Sequence, residues 1–410
     1  MKVLMLGWEL PPHNSGGLGV ACYQLCKALS KQPVDLEFVL PYQAEHNIDF
    51  MTVTAANPQG VAEIIKSGIA YDSYKYILED GTEEWHDIYS QQMMYEHAVD
   101  RLMATKVVDI VHAHDWLTFR AAMRIKAQRD CPIVLHVHSV ESDRAGGKQG
   151  NPLVREIEET AFLMADTIIA VSELTKQAII ADYDIPASKI EVVHNRLDLT
   201  ELPATDGANE YSYLEQLRGE GWHIVTSIGR LTIQKGLVNL LHAAAEVIIR
   251  EPKTMFLIVG SGELYYELME LAADLGISKN VIFTGFLRGR AWHDSYTIGD
   301  LFVLPSVSEP FGLTVLEAIG YGTPTLISKQ SGVGELIKHS LKADFWDVHS
   351  MANQIVAVIQ NSSLGVSLRE NAYKELERLS WDHAATSLMD VYERHLKTPK
   401  GDTLAQGVPA

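Results

Sequence analysis

Short apolar runs, each followed by an amphipathic or polar stretch, recur from one end of this chain to the other, and that alternation leaves few folds open. A run buried on both faces belongs inside a sheet covered by helices, so the pattern predicts an α/β fold of parallel strands and crossover helices. The first set is Val3 to Leu6, Leu36 to Leu40, Val107 to Val111, Ile133 to His138, Thr167 to Val171 and Ile190 to Val193. Around Asp198 to Tyr213 the pattern lapses into Pro203, Asp206, Gly207 and Asn209, the composition of a linker. A second set follows: His223 to Ile228, Met255 to Val259, Val281 to Phe283, Leu301 to Leu304 and Thr325 to Ile327. Helical patterns at Met351 to Gln360, Ser367 to Leu379 and Trp381 to Leu396 close the chain. With 410 residues, the chain exceeds the size at which a single core stops growing, roughly 250 to 300 residues. Two doubly wound, Rossmann-like domains are therefore expected, residues 1–205 and 206–382, with a flexible tail at 398–410.

Open parallel sheets bind ligands beyond the carboxyl ends of their strands, so the loops after these runs are where chemistry belongs. Gly16-Gly17-Leu18-Gly19 lies between the first strand and the first helix, where backbone can approach a phosphate or sugar closely and amides are left at a helix start. It departs from G-x-G-x-x-G, which argues against a dehydrogenase. Gly229-Arg230-Leu231 closes the first strand of the second set, and Lys235-Gly236 opens the next helix. Two cations beside the positive end of a helix dipole call for an anion, and a diphosphate fits. The segment from Ser308 to Ala318 places Glu309 in a loop held by Pro310 and Gly312, and Glu317 in the helix from Thr314 to Tyr321. Amides of Gly312 to Thr314 fall between the two carboxylates, which gives donors for a phosphate and acceptors for sugar and ribose hydroxyls.

Other residues invite a metal reading that the pattern does not sustain. His112-Ala113-His114 and His136-Val137-His138 each end an apolar run, and an H-x-H at a strand end can bind metal. Here the pair falls in mid-domain and no partner on a later strand is apparent, so no metal site is expected. Asp182-Tyr183-Asp184 mimics a D-x-D cation motif, but it lies past a helical pattern and just before Pro186, where chance explains it.

The net charge of −19 opposes nucleic acid and an anionic membrane surface. Arg120, Arg124, Lys126 and Arg129 make one helix locally basic, a pattern expected of a solvated face more than of a membrane contact. Cys22, Cys26 and Cys131 are too few and too poorly spaced for a disulfide framework or zinc site, which suits a reducing, cytoplasmic setting. The run Val3 to Leu10 is broken by Glu9 and stopped by Pro11-Pro12, too short for a secretory leader, and no stretch approaches the ~20 apolar residues of a membrane span.

With these residues in view, nearly the whole chain resembles the retaining glycosyltransferases of the GT-B fold, in the large family that includes glycogen synthase-like members. The resemblance is carried by Ser15-Gly16-Gly17-Leu18-Gly19, Val111-His112-Ala113-His114-Asp115-Trp116, His136-Val137-His138-Ser139, Gly229-Arg230-Leu231 with Lys235-Gly236, and the E-x7-E segment from Glu309 to Glu317. It implies two domains facing a central cleft, a final helix from about His383 (383–397) crossing back to the first domain, and metal-independent transfer from a nucleotide diphosphate sugar with no cofactor. By that resemblance Arg230 and Lys235 neutralise the diphosphate, and Gly16 and Gly17 approach the donor from the opposite domain. Glu309 holds donor-sugar hydroxyls, Glu317 the ribose, and His138 stands beside the reacting sugar. Backbone near Leu287 meets the base, and Phe311, Gly312, Leu313 and Thr314 line the donor. The acceptor implied is a hydroxyl, with a glucan favoured by the His-Ala-His-Asp-Trp and Gly-Gly-Leu-Gly segments. Two positions depart from the family pattern. Asn195-Arg196-Leu197-Asp198 lacks its usual glycine, and Ser331-Gly332-Val333-Gly334-Glu335 shifts the Gly-Gly register, so Glu335 receives no role. A nucleotide-sugar epimerase or hydrolase, and a non-catalytic nucleotide-sugar sensor, remain alternatives on the same architecture.

Overall fold

A computed structural model describes residues 1–14, 16–57, 61–66, 74–129, 131–204 and 209–397; Ser15, the middle of the expected linker and the tail 398–410 lie outside them. The strands in chain order are β1 (Lys2–Leu6), β2 (Asp35–Leu40), β3 (Thr52–Ala55), β4 (Val61–Lys66), β5 (Tyr74–Leu78), β6 (Glu83–His86), β7 (Ile110–His114), β8 (Ile133–Val137), β9 (Thr167–Ala170) and β10 (Ile190–Val192). The second half adds β11 (His223–Ile228), β12 (Thr254–Val259), β13 (Val281–Phe283), β14 (Leu301–Leu304), β15 (Thr325–Ser328) and β16 (Leu341–Ala343). They form a seven-stranded sheet, β10-β9-β8-β7-β1-β2-β3, and a six-stranded sheet, β13-β12-β11-β14-β15-β16, parallel throughout. Central strands such as β7, β8, β12 and β14 are buried at every position, as two helix-covered faces require.

The order of each sheet reverses beside its first strand, and that crevice is where an open sheet takes a ligand. The structure also departs from the sequence expectations. Strand β7 starts at Ile110, later than the run from Val107, because Val107 is 82% exposed and Asp109 accepts a hydrogen bond from the Lys2 amide at 2.7 Å. Strands β4, β5 and β6 make a separate antiparallel meander, and β3 and β16 are further strands that periodicity did not reveal. The polar stretch before Tyr213 ends in a helix, Ser212–Gly219, whose Leu214 and Leu217 bury against the second half.

One core fills the first half, and its members include Trp381, Ala385, Leu388 and Tyr392 of the last helix, Trp381–Lys397. The chain thus returns from the second half to complete the first, packing beside the helix Gly17–Leu29. No helix among the described residues is long and apolar enough to cross a membrane.

Leu388 is fully buried in that core, so Leu388→Ala should cost about 2 to 5 kcal/mol in the unfolding transition of the first half. Denaturant unfolding measures it. A chain ended at Ser380 should be unable to fold that half, and a stable truncated first half would place the helix outside its core.

Candidate active site

A cavity of about 570 Å³ opens between the carboxyl ends of the two sheets, a size suited to a nucleotide-sized ligand. Every site residue expected from the sequence lines it: Gly16, Gly17, His138, Arg230, Lys235, Leu287, Glu309, Phe311, Gly312, Leu313, Thr314 and Glu317.

On the second half, Arg230 follows β11 after a single glycine. Lys235 ends a 3-10 turn, and Gly236 then starts the helix Leu237–Arg250 with φ 65°. A Cβ at Gly236 would stand 2.1 Å from the Pro305 carbonyl oxygen, so glycine alone lets this turn sit against the loop that carries Glu309. Across that contact Lys235 Nζ pairs with Glu309 Oε2 at 2.6 Å, the two side chains being 18% and 9% exposed. Ser306 Oγ donates to the same oxygen at 2.9 Å. The Glu309 backbone is fixed too, its amide donating to Gln330 O and its carbonyl accepting from Gly332 N, both at 2.9 Å.

The chain then enters the helix Leu313–Gly320, whose first amides have no acceptor within the helix. Their partial positive charge adds to that of Arg230 and Lys235 at the cavity wall. Glu317, one turn on, receives the hydroxyl hydrogen bond of buried Tyr296. Burial pushes the Glu317 carboxyl up to about 7, although the Tyr296 hydrogen bond acts in the opposite direction.

On the first half, Gly16 precedes the helix Gly17–Leu29 with open space at its Cβ position, and a Cβ at Gly17 would lie 3.2 Å from Leu313 Cδ1 of the opposite half. His138 follows β8, and burial drives its imidazole down to about 3, so the ring is neutral. Asp115 Oδ1 accepts from the amides of His138 at 2.7 Å and Ser139 at 3.3 Å. Asp115 itself sits at φ 58°, ψ 168°, a region that side chains rarely enter and that costs of order 1 to 3 kcal/mol. Burial raises its carboxyl to about 6. Strain of this kind, on a cavity-lining carboxylate that orients His138, marks Asp115 as a site residue which sequence reasoning quoted in a motif but did not single out.

Contacts across the cleft involve further residues without a sequence signal. Arg288 donates to Pro12 O at 2.9 Å and Asn14 O at 3.1 Å. Ser172 Oγ donates to Pro310 O at 2.6 Å, and Ser308 to Asp143. Glu335, left without a role above, accepts from the amides of Glu173 at 2.9 Å and Leu174 at 3.0 Å, at the start of the helix Glu173–Tyr183, and meets His194 Nε2 at 2.6 Å. Gly332 permits this docking, since a Cβ there would fall 2.6 Å from Ser172 Cβ. At Arg196, where the family pattern has glycine, the backbone keeps an ordinary negative φ.

The histidine pairs are corrected by the structure. His112 and His114 do have partners, because β7 and β8 are neighbours and His114 lies directly opposite His136. Ligand atoms of His112, His114 and His136 lie within 4.8 Å of one another, as do those of Cys22, His114 and His138. The rings of His112, His114 and His136 are near-parallel, at 13° to 25°, and His112 Nε2 faces His136 Nδ1 at 3.2 Å. Asp182 and Tyr183 have structural partners in Ser142 and Glu158, while Asp184 ends its helix in a left-handed turn. The basic helix is neutralised locally, Arg120 and Arg124 by Glu96 and Asp100, Lys126 by Asp166.

Residues 15–201 match the family described as Glycosyltransferase Family 4, and residues 215–375 match Glycosyl transferases group 1. The chain is a GT-B glycosyltransferase of the family 4 type. An uncharacterized glycosyltransferase of Methanocaldococcus jannaschii is 27% identical over 96% of this chain and 98% of its own. The glycogen synthase of Mycobacterium tuberculosis is 26% identical over 96% and 94%. Among solved structures, Anabaena HepE in complex with UDP-glucose shares the fold, with a TM-score of 0.71 at 19% identity over 96% of this chain and 100% of that one.

A hydroxyl-bearing ligand that reached Glu317 would find its strongest acceptor in the ionised carboxylate, and protonation would weaken that contact. Affinity for such a ligand should therefore rise with pH until the carboxyl, raised to about 7, is ionised, and fall by up to about tenfold per pH unit below that value. Nucleoside diphosphate binding by calorimetry across this range checks it; Glu317→Gln should flatten the profile, and an equally steep profile in the variant would assign it to another group.

Proposed function

We propose that this glycosyltransferase moves a hexosyl group, glucose in the favoured reading, from a nucleotide diphosphate sugar to a carbohydrate hydroxyl, with a glucan as the favoured acceptor. Retention of anomeric configuration, independence of metal and a reducing, cytoplasmic setting belong to the same reading. The observation that carries it is the convergence of Arg230, Lys235, a helix N-terminus, Glu309 and Glu317 on one cavity closed from the other side by Gly17 and His138. The glycogen synthase relative and the UDP-glucose complex of HepE favour glucose as the sugar.

As the donor bond breaks, negative charge grows on the diphosphate and the sugar becomes cationic. Arg230, Lys235 and the Leu313 and Thr314 amides stabilise the first, in place of a divalent ion. Glu309 orients the sugar and favours its positive charge. The departing diphosphate oxygen, on the face from which the acceptor arrives, takes the acceptor proton, and attack from that face keeps the configuration. Lys235 holds Glu309 at 2.6 Å before donor arrives, so binding must divide the lysine between carboxylate and phosphate.

Arg230→Ala or Lys235→Ala should lower kcat by about 30-fold to 1000-fold, the equivalent of roughly 2 to 4 kcal/mol, while Glu317→Gln acts chiefly on donor KM. Glu309→Gln should affect both. Turnover should survive EDTA. Steady-state kinetics with a nucleotide-sugar panel, with and without glucan, tests all of this. Sugar transfer abolished by EDTA and restored by magnesium would overturn metal independence, product without acceptor would mark an epimerase or hydrolase, and intact donor a sensor.

A further inference from the structure

Behind His138 lies a group of buried histidines that the proposed reaction does not use. Residues two apart on a strand share a face, so His112 and His114 of β7 stand beside His136 of β8 and His138 just after it. The rings stack: His112 on His114 at 4.6 Å and 14°, and His136 on His138 at 4.5 Å and 15°. Phe38 lies near-parallel to His114, at 6.3 Å and 25°. His112 Nδ1 meets Tyr392 Oη of the last helix at 2.5 Å, and its Nε2 meets His136 Nδ1 at 3.2 Å. Wedged in this way, the rings have little freedom to turn.

Burial holds His114 and His138 neutral, so each has one N–H and one bare nitrogen. His114 Nδ1 and His138 Nε2 are 3.1 Å apart, and one of them must carry the proton between them. His114 Nε2 decides which, because it is buried without a hydrogen-bond partner among the described residues. An N–H stranded there would cost more than an unfilled lone pair. The Cys22 thiol, within 4.8 Å of both histidines and kept protonated by burial, offers the surroundings a weak donor and no charged acceptor. The proton therefore sits on His114 Nδ1, and His138 accepts it at Nε2.

We propose that His114 is a positioning residue that fixes His138 as the Nδ1–H tautomer, so that its ring presents a hydrogen-bond donor to the cavity where the sugar reacts. The second half of this statement rests on the proposed function; the tautomer itself does not. Nδ1 is the ring nitrogen left over by the His114 contact, and His138 lines the cavity. The matching partner is a hydroxyl oxygen of the transferred sugar.

Long-range proton–nitrogen correlation on the full chain labelled with ¹⁵N-histidine reads the tautomer directly, His138 being assigned by its loss in His138→Gln. The expected spectrum shows Nδ1 protonated; a proton on Nε2 overturns the proposal whether or not transfer is ever detected. Kinetics supply the second arm. His114→Asn keeps an amide N–H bonded to Cγ, where Nδ1 was, and should retain kcat within about threefold, whereas His114→Leu should lose about tenfold in kcat at nearly unchanged donor KM. Equal kcat in the two variants, high or low, overturns the role of the hydrogen bond. Should His114→Leu not fold, the wild-type spectrum and the His114→Asn kinetics still decide.

Discussion

A parallel sheet delivers every strand to the same end, and most of what this molecule can do follows from that constraint. The strands satisfy one another laterally and bury apolar side chains on both faces, so chemistry is expelled to the loops at their carboxyl ends. Gly16 follows β1, Asp115 follows β7, His138 follows β8, Arg230 follows β11 and Glu309 follows β14. Each following helix points its N-terminus at the same space. A chain with a net charge of −19 thus builds a local field suited to an anion, and two such sheets set face to face enclose it from both sides.

The pair of Lys235 and Glu309 shows how that field is held in readiness. Leaving a largely buried carboxylate alone would be costly, and the lysine, supported by Ser306, removes the cost without neutralising the site permanently. Gly236 makes the pairing possible by letting two loops touch where a methyl group could not fit. The opposing wall uses strain instead. Asp115 is held in a conformation more natural to glycine, yet glycine would have no side-chain oxygen to accept the two amides that set the direction of His138.

Legibility in the sequence tracked how local each feature is. Arg230, Lys235, Glu309 and Glu317 were readable because each lies within a few residues of the strand end or helix start that positions it. The two sheets were readable because burial on both faces leaves continuous apolar runs. The meander β4 to β6 was not, since it lies outside the two parallel sheets and reaches the first core through Ile64 and Tyr76, contacts remote in sequence. Arg288, Glu335 and the facing histidines escaped for a related reason: their partners are remote, 276 residues away for Arg288 and Pro12, 141 for Glu335 and His194. His112 and Tyr392 are separated by 280 residues. Spacing within a motif carries no information about such contacts, and only the register of β7 against β8 turns two ordinary H-x-H segments into one cluster.

The return of the last helix to the first core also governs the order of events during synthesis. A ribosome adding roughly 5 to 20 residues per second releases the first half long before Trp381 to Tyr392 exist. Until then the surface those residues cover is bare, and the helix Gly17–Leu29 lacks its neighbour. The second half is completed only shortly before that helix, because Met351, Ile355, Ala372 and Leu376 belong to its cores. Nascent chains of this design would therefore carry an incomplete first half until synthesis is nearly over, with the earliest-made segment the most dependent on protection while it waits.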